Sequence, residues 1–343
     1  LEPGESCNYN LDMETSSMQS GEYTLVIKAF SRNHWDGESV QVAAEQFVYG
    51  EYDRYTESEK CNYTVKDDVN ARSFVRNGIS FIFDEKNGCI KEACYNGNNV
   101  IAGALEPIFI RATTDNDRGT AKSLDRMWKK AGLDSPIMEL VSIETDNACI
   151  RTIKNYKNLK GDVLFEVKET FTFIEGGVNV DAEIKATTGC SQLPRIGYQC
   201  PLALDLDKVE WYGAGPWSSY SDRSSSAFLG IYNAGINEMF VNYARPQENG
   251  NRTNTRWVKV SETDGVCLCI DGKKPFNFTL SPYSVNNLDK AEHSFELIKE
   301  DYNTLFIDAV MAPVGNASCG PQAMNKYQIK DGIYHLNFNL RIF

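Results

Sequence analysis

The sequence predicts an all-β protein, a small partial sandwich followed by one large antiparallel sandwich. Three observations carry this expectation. Apolar and polar residues alternate along most segments, helical spacing is scarce, and turn residues separate the alternating runs. At 343 residues the chain exceeds one ordinary domain, so two units of unequal size are expected. A content of 42% hydrophobic and 24% charged residues matches a packed globular protein and argues against disorder.

The elements follow in order. Tyr23, Leu25 and Ile27 share one face of a segment opened by Gly21, and Val40, Val42 and Ala44 share one face of the next. The turn-rich SRNHWDGES joins them. Residues 1–52 therefore read as the closing strands of a small sandwich, too few to bury a core alone. The polar, aperiodic run EYDRYTESEK contains the linker, placed at residues 53–60, and residues 61–343 form the second domain. Within it Ile79, Phe81 and Phe83 alternate up to a Lys86-Asn87-Gly88 turn. Leu124, Met127, Trp128 and Ala131 recur at three and four, which predicts a helix over residues 120–131 ended by Gly132. Val178, Val180, Ala182 and Ile184 alternate after a Gly176-Gly177 turn, and a short helix starts at Ser284 with Leu288 and Ala291 inward. The last strand predicts a dry face of Leu336, Phe338, Leu340 and Ile342 and a wet face of His335, Asn337, Asn339 and Arg341.

Charge and composition exclude several functions. A net charge of −12 without a basic stripe opposes nucleic-acid binding, and a neutral ligand such as a sugar fits better. No apolar run approaches the roughly 20 residues of a membrane span. The opening LEPGESCNYN has no signal-peptide pattern and no initiator Met, so the chain reads as the interior of a longer protein. Ten scattered cysteines without a C-x-x-C pair read as reduced thiols, and no metal site is expected from them.

Familiar catalytic signatures are absent, and His34, His293 and His335 are the only imidazoles. In TTDNDRG, the residues Asp115, Asn116, Asp117 and Gly119 start like a calcium loop but meet Asp125 where a Glu is needed. The plainer reading is that the Asp115 and Asn116 side chains satisfy backbone donors of their own turn. WYGAGPWSSYSDR holds Trp211, Gly213, Gly215, Pro216, Trp217, Tyr220, Asp222 and Arg223, either as a sugar-stacking platform or as core. YARPQENGNRTNTRW gathers Glu248, Asn249, Gly250, Asn251, Arg252 and Arg256, either an Arg–carboxylate lattice holding a loop or a polar ligand wall. A glycosidase needs two carboxyl groups flanking the scissile bond, about 5 to 5.5 Å apart for retention, and no such pair is evident.

RATTDNDRG, MWKKAGL, PRIGYQCPL, WYGAGPWSSYSDR, YARPQENGNRTNTRW, PFNFTLSPYS and LFIDAVMAPVGNASCGP resemble, in sequence and order, the terminal domain of the large β-galactosidases of glycoside hydrolase family 2. GEYTLVIKAF and VAAEQF are similar to the closing strands of the preceding immunoglobulin-like domain. The resemblance implies a partial immunoglobulin-like sandwich followed by a galactose-mutarotase-like supersandwich. It further implies retaining hydrolysis of terminal β-D-galactosides such as lactose, with the catalytic glutamates on a TIM barrel absent from this chain. Magnesium and sodium would be held by the parent's other domains, with no cofactor in this chain. The implied partners are the missing N-terminal and TIM-barrel domains and a β-galactoside, in a homo-oligomer in the cytoplasm.

In that family the terminal domain walls the galactose pocket with a tryptophan of a Ser-Trp-Gly-Pro loop. Here the loop reads Ser318-Cys319-Gly320-Pro321, so a thiol stands at the sugar-contacting position. Asp117 and Gly119 are second contact candidates, because the loop after Asp117-Arg118-Gly119 lies near the active-site rim in relatives. A stand-alone carbohydrate-binding module and a mutarotase-like epimerase are the alternatives. The epimerase would need a His and a Glu together on the concave face.

Overall fold

A computed structural model of the chain describes residues 4–12, 20–31, 39–52, 55, 59–119, 123–146, 148–203, 205–262 and 265–343. Most of the SRNHWDGES connection, with His34, and most of residues 53–60 lie outside the described residues. The chain forms two compact units, Leu1–Thr56 and Glu57–Phe343.

In the first unit, β1 (Tyr23–Ser31) and β2 (Val40–Tyr49) make an antiparallel ribbon, with a register shift between Ala29 and Phe30. None of its described residues is buried, and Val26, Ile27, Phe30, Val42, Phe47 and Val48 are all exposed. The alternation that forms the strands is present, but the ribbon encloses no core of its own.

The second unit is a curled antiparallel sheet. It starts with β3 (Thr64–Asp68), β4 (Ala71–Arg76), β5 (Ile79–Asp84), β6 (Cys89–Tyr95), β7 (Asn98–Ile101) and β8 (Glu106–Ile108). Helices α1 (Asp115–Arg118) and α2 (Leu124–Ala131) follow, then the long meander β9 (Ile137–Thr145), β10 (Cys149–Lys157), β11 (Val163–Ile174) and β12 (Gly177–Ala186). Next come β13 (Arg195–Leu202), β14 (Lys208–Gly215), β15 (Phe228–Gly235), α3 (Ile236–Met239) and β16 (Arg252–Ser261). The chain finishes with β17 (Cys267–Ser281), α4 (Val285–Lys290), β18 (Asn303–Met311) and β19 (Gly332–Ile342). Every strand pairing is antiparallel, and the sheet closes on itself.

Inward residues at a spacing of two make this core. On β11, Phe165, Val167, Phe171 and Phe173 are fully buried. Phe109 stacks on Phe165 and Phe74 on Phe173, each with centroids 3.7 Å apart, and Phe83 meets Phe171 edge-on at 5.3 Å. Turn chemistry sets the register: the Asp84 carboxylate accepts the Lys86 and Asn87 amides, and Gly88 follows at φ +65°.

Two expectations need correction. Helix α2 begins at Leu124, because the Ser123 hydroxyl accepts the Arg126 amide and caps it there. Of the expected span, residues 120–122 lie outside the described residues. Gly132 does end it, at φ +87°. The second face of β19 is not wholly wet. Asn339 is fully buried and donates to Asp271, which also pairs with Arg341. The sheet continues on both sides of β19, through β12 and β17, so Asn339 is satisfied by a neighbouring strand, while His335 on the same face stays exposed as expected.

Strands β8, β13, β18 and β17 lie side by side in that order. Gln199 of β13 stands opposite both Glu106 and Phe306, and Gly197 opposite Asp308. One face of these four strands carries the polar chemistry described next.

Candidate functional site

The site is built on Arg111. Its side chain is fully buried and makes a two-point pair with Asp117, Nε to Oδ2 at 3.1 Å and Nη2 to Oδ1 at 2.8 Å. The same guanidinium donates to the carbonyls of Ala312 (2.8 Å) and Pro313 (2.9 Å), which ties α1 to the loop after β18. Asp117 also accepts the Thr114 amide while Thr114 Oγ1 accepts the Asp117 amide, so both cap α1.

Asn116 turns away from its own helix. Its amide donates to the carbonyls of Val314 (3.0 Å) and Gly315 (2.7 Å), and its oxygen accepts Ser318 N (3.0 Å) and Oγ (2.6 Å). From the other side the Asp222 carboxylate accepts the amides of Val314 (3.0 Å) and Gly315 (2.8 Å). Gly119 backs onto this loop so closely that a Cβ there would lie 2.7 Å from Ser318 Cα. The loop Val314–Gly320 is thus held from two sides, with Ser318, Cys319 and Gly320 exposed. This corrects the reading of Asp115 and Asn116 as local turn braces. Asp115 pairs with the Gln247 side chain, and Asn116 holds a loop some two hundred residues away. Asp117, turned inward onto Arg111, has no oxygen left to open a calcium loop.

The aromatic–glycine motif divides. Trp211 and Tyr220 are buried, and Arg252 lies over the Trp211 ring at 5.2 Å, so these aromatics are core and not a platform. Gly213 permits the approach of β16, since a Cβ would meet Thr255 Cα at 2.9 Å. A cis peptide joins Gly215 to Pro216, and Trp217 beyond it is 70% exposed. Arg223 lies over Tyr220 and donates to Ser218.

Glu248 belongs to a buried lattice with partners that its own segment does not contain. Arg195 Nη2 lies 3.4 Å from Glu248 Oε2, Arg195 Nε lies 3.1 Å from Asp308 Oδ1, and the guanidinium covers Phe306 at 4.2 Å. Tyr220 donates to Glu248 at 3.4 Å. The expected partners Arg252 and Arg256 instead bind the backbone carbonyls of Gly250 and Asn254. Asn249 braces the turn by accepting the Val241 amide and donating to the Gln247 carbonyl. Burial pushes the Asp308 carboxyl up to about 7, with Arg195 opposing and Glu248 adding to the rise. Glu248 is raised by the same burial. Sequence reasoning missed Arg195 and Asp308. Their one signal is a charge inside the apolar runs PRIGYQCPL and LFIDAVM.

No cluster of three or more His, Cys, Asp or Glu that could hold a metal occurs among the described residues. The two described histidines, His293 and His335, are both exposed, and neither lies with a carboxylate on the buried polar face. No helix among the described residues is long and apolar enough to cross a membrane.

Fold and lattice together define an antiparallel supersandwich whose loops are braced on one polar face. Its sheet is similar to a galactose mutarotase-like protein from Lactobacillus casei, at TM-score 0.46 and 6% identity over 80% of this chain and all of that one. Residues 75–341 match the model of the β-galactosidase small chain, and the chain belongs to that family. The β-galactosidase of Actinobacillus pleuropneumoniae is 30% identical over 82% of this chain and 28% of its own length. That of Halalkalibacterium halodurans is 28% identical over 93% of this chain and 32% of its own length. The chain spans about a third or less of the relatives it matches.

Proposed function

We propose that this chain is the terminal part of a cytoplasmic β-galactosidase that cleaves terminal β-D-galactosides with retention, using carboxylates carried by the rest of the protein. Its own contribution is one wall of the galactose pocket, presented by Ser318, Cys319 and Gly320. One observation carries the reading: Arg111, Asn116 and Asp222 pin the loop from two sides while Cys319 stays exposed. A contact surface held in advance loses little freedom when a ligand arrives.

The buried carboxylates support the division of labour. Glu248 and Asp308 share Arg195 inside the fold and are 6% and 0% exposed, so neither can flank a glycosidic bond. Magnesium and sodium would be bound by the remainder of the protein, which is also the partner that completes the site in a homo-oligomer. Mixing the purified chain with that remainder should restore hydrolysis of an aryl galactoside that neither piece catalyses alone. Turnover by the isolated chain, with contaminating enzyme excluded, would overturn the proposal.

A further inference from the structure

We propose a saccharide-binding site in the groove that β8, β13 and β18 form beneath helices α2 and α4. The groove has a volume of about 700 Å³, within the roughly 300–1,000 Å³ usual for small-molecule sites, and its walls do not include Ser318, Cys319 or Gly320. Strand register builds its floor: Gln199 stands opposite Glu106, and Pro201 opposite Thr304, so these side chains share one face.

The class of ligand follows from which polar groups remain open. Most wall carboxylates are already engaged, Asp289 by Thr113, Glu300 by Ser284 and Tyr302, and Asp125 by Lys129. On the floor, Gln199 Nε2 donates to Glu106 Oε1 at 2.8 Å, which leaves Glu106 Oε2, Gln199 Oε1 and the second amide hydrogen open. Thr304 is 2% exposed, and its hydroxyl has no hydrogen-bond partner. Tyr156 lines the same wall.

The open set mixes acceptors with donors. Lys290 and Asp134 also line the groove, so a cation would face Lys290, an anion would face Glu106 and Asp134, and an apolar ligand would leave Thr304 and Gln199 unmatched. A neutral polyol both gives and takes hydrogen bonds and can lay its C–H face on Pro201, Ile108 and Met138. A mono- or disaccharide has this chemistry. The site does not depend on the loop edge walling a galactose pocket.

The test is calorimetric titration of the purified chain with lactose and with maltose. Saturable binding is expected, with a dissociation constant on the order of 1 mM. Gln199→Leu and Thr304→Val should each weaken it about tenfold. Thr304→Val should also keep or raise the unfolding temperature, because the lost hydroxyl has no partner, and this variant carries the test if Gln199→Leu fails to fold. Lys168→Ala, on the exposed face of β11, should leave the affinity unchanged. The proposal falls if neither sugar saturates the chain, or if Asn116→Ala abolishes binding that both groove variants retain. Groove binding by a chain that fails to restore hydrolysis would keep this site and remove the function proposed above, and the converse result would do the opposite.

Discussion

Asn116 directs both ends of its amide at one distant loop, so its removal is the sharpest test of how that loop is held. Asn116→Ala should cost about 1–3 kcal/mol, because backbone groups of Val314, Gly315 and Ser318 lose their partner, and chemical denaturation would measure it. Cys319 lies on the surface that Asn116 organises. If the loop walls a galactose pocket as proposed above, Cys319→Trp, which adds a ring covering on the order of 200 Å², should lower KM for lactose in the full-length protein about ten- to a hundredfold. An unchanged KM would remove Cys319 from the pocket wall. Asp308 gives a pH dependence with a definite sign. Its carboxyl titrates near 7 in the folded chain against an ordinary 3.8, so the folded state holds the proton more tightly than the unfolded state. The associated stability is complete below about pH 4 and is lost as pH rises through 7. Asp308→Asn should therefore flatten the fall in unfolding temperature between about pH 4 and 7, as read by thermal melts across that range. A slope equal to that of the parent chain would show that Asp308 does not titrate there.

Among the elements, α2 shows how local signals and tertiary contacts share a structure. Its stop at Gly132 was legible because an αL residue after a helical repeat has few other uses. Its start was less legible, since Ser123 caps the helix and also donates to the Asp117 carbonyl, a contact no spacing rule contains. Ser123→Ala should cost about 1 kcal/mol, measurable as a shift of the denaturation midpoint. The last strand makes the same point for sheets. Leu336, Phe338, Leu340 and Ile342 followed their period of two, whereas Asn339 was expected in water and is buried against Asp271. Periodicity assigns a residue to a face; what covers that face depends on which strands pair beside it.

For the whole molecule, the buried hydrophobic cluster runs from Tyr63 to Ile342, and no described residue of the first unit is buried. Residues 57–343 expressed alone should therefore unfold cooperatively at nearly the midpoint of the full chain. A peptide of residues 1–56 should lack stable structure by circular dichroism, as expected of a two-stranded ribbon without a covered face. The all-β class and the family were determined by the sequence itself, through alternation within strands and seven motifs kept in one order. Both signals are local, carried by residues adjacent in the chain, and survive without knowledge of the fold. Arg195, Glu248 and Asp308 were decided only by tertiary structure, because their meeting requires β13, β18 and the turn before β16 to converge. The same holds for Arg111 and Asn116 grasping residues 312–318, and for Gln199 beside Glu106 with Thr304 on one floor. A polar side chain carries no mark of its partner when 53 to 202 residues separate them; the pairing exists only once the sheet has closed.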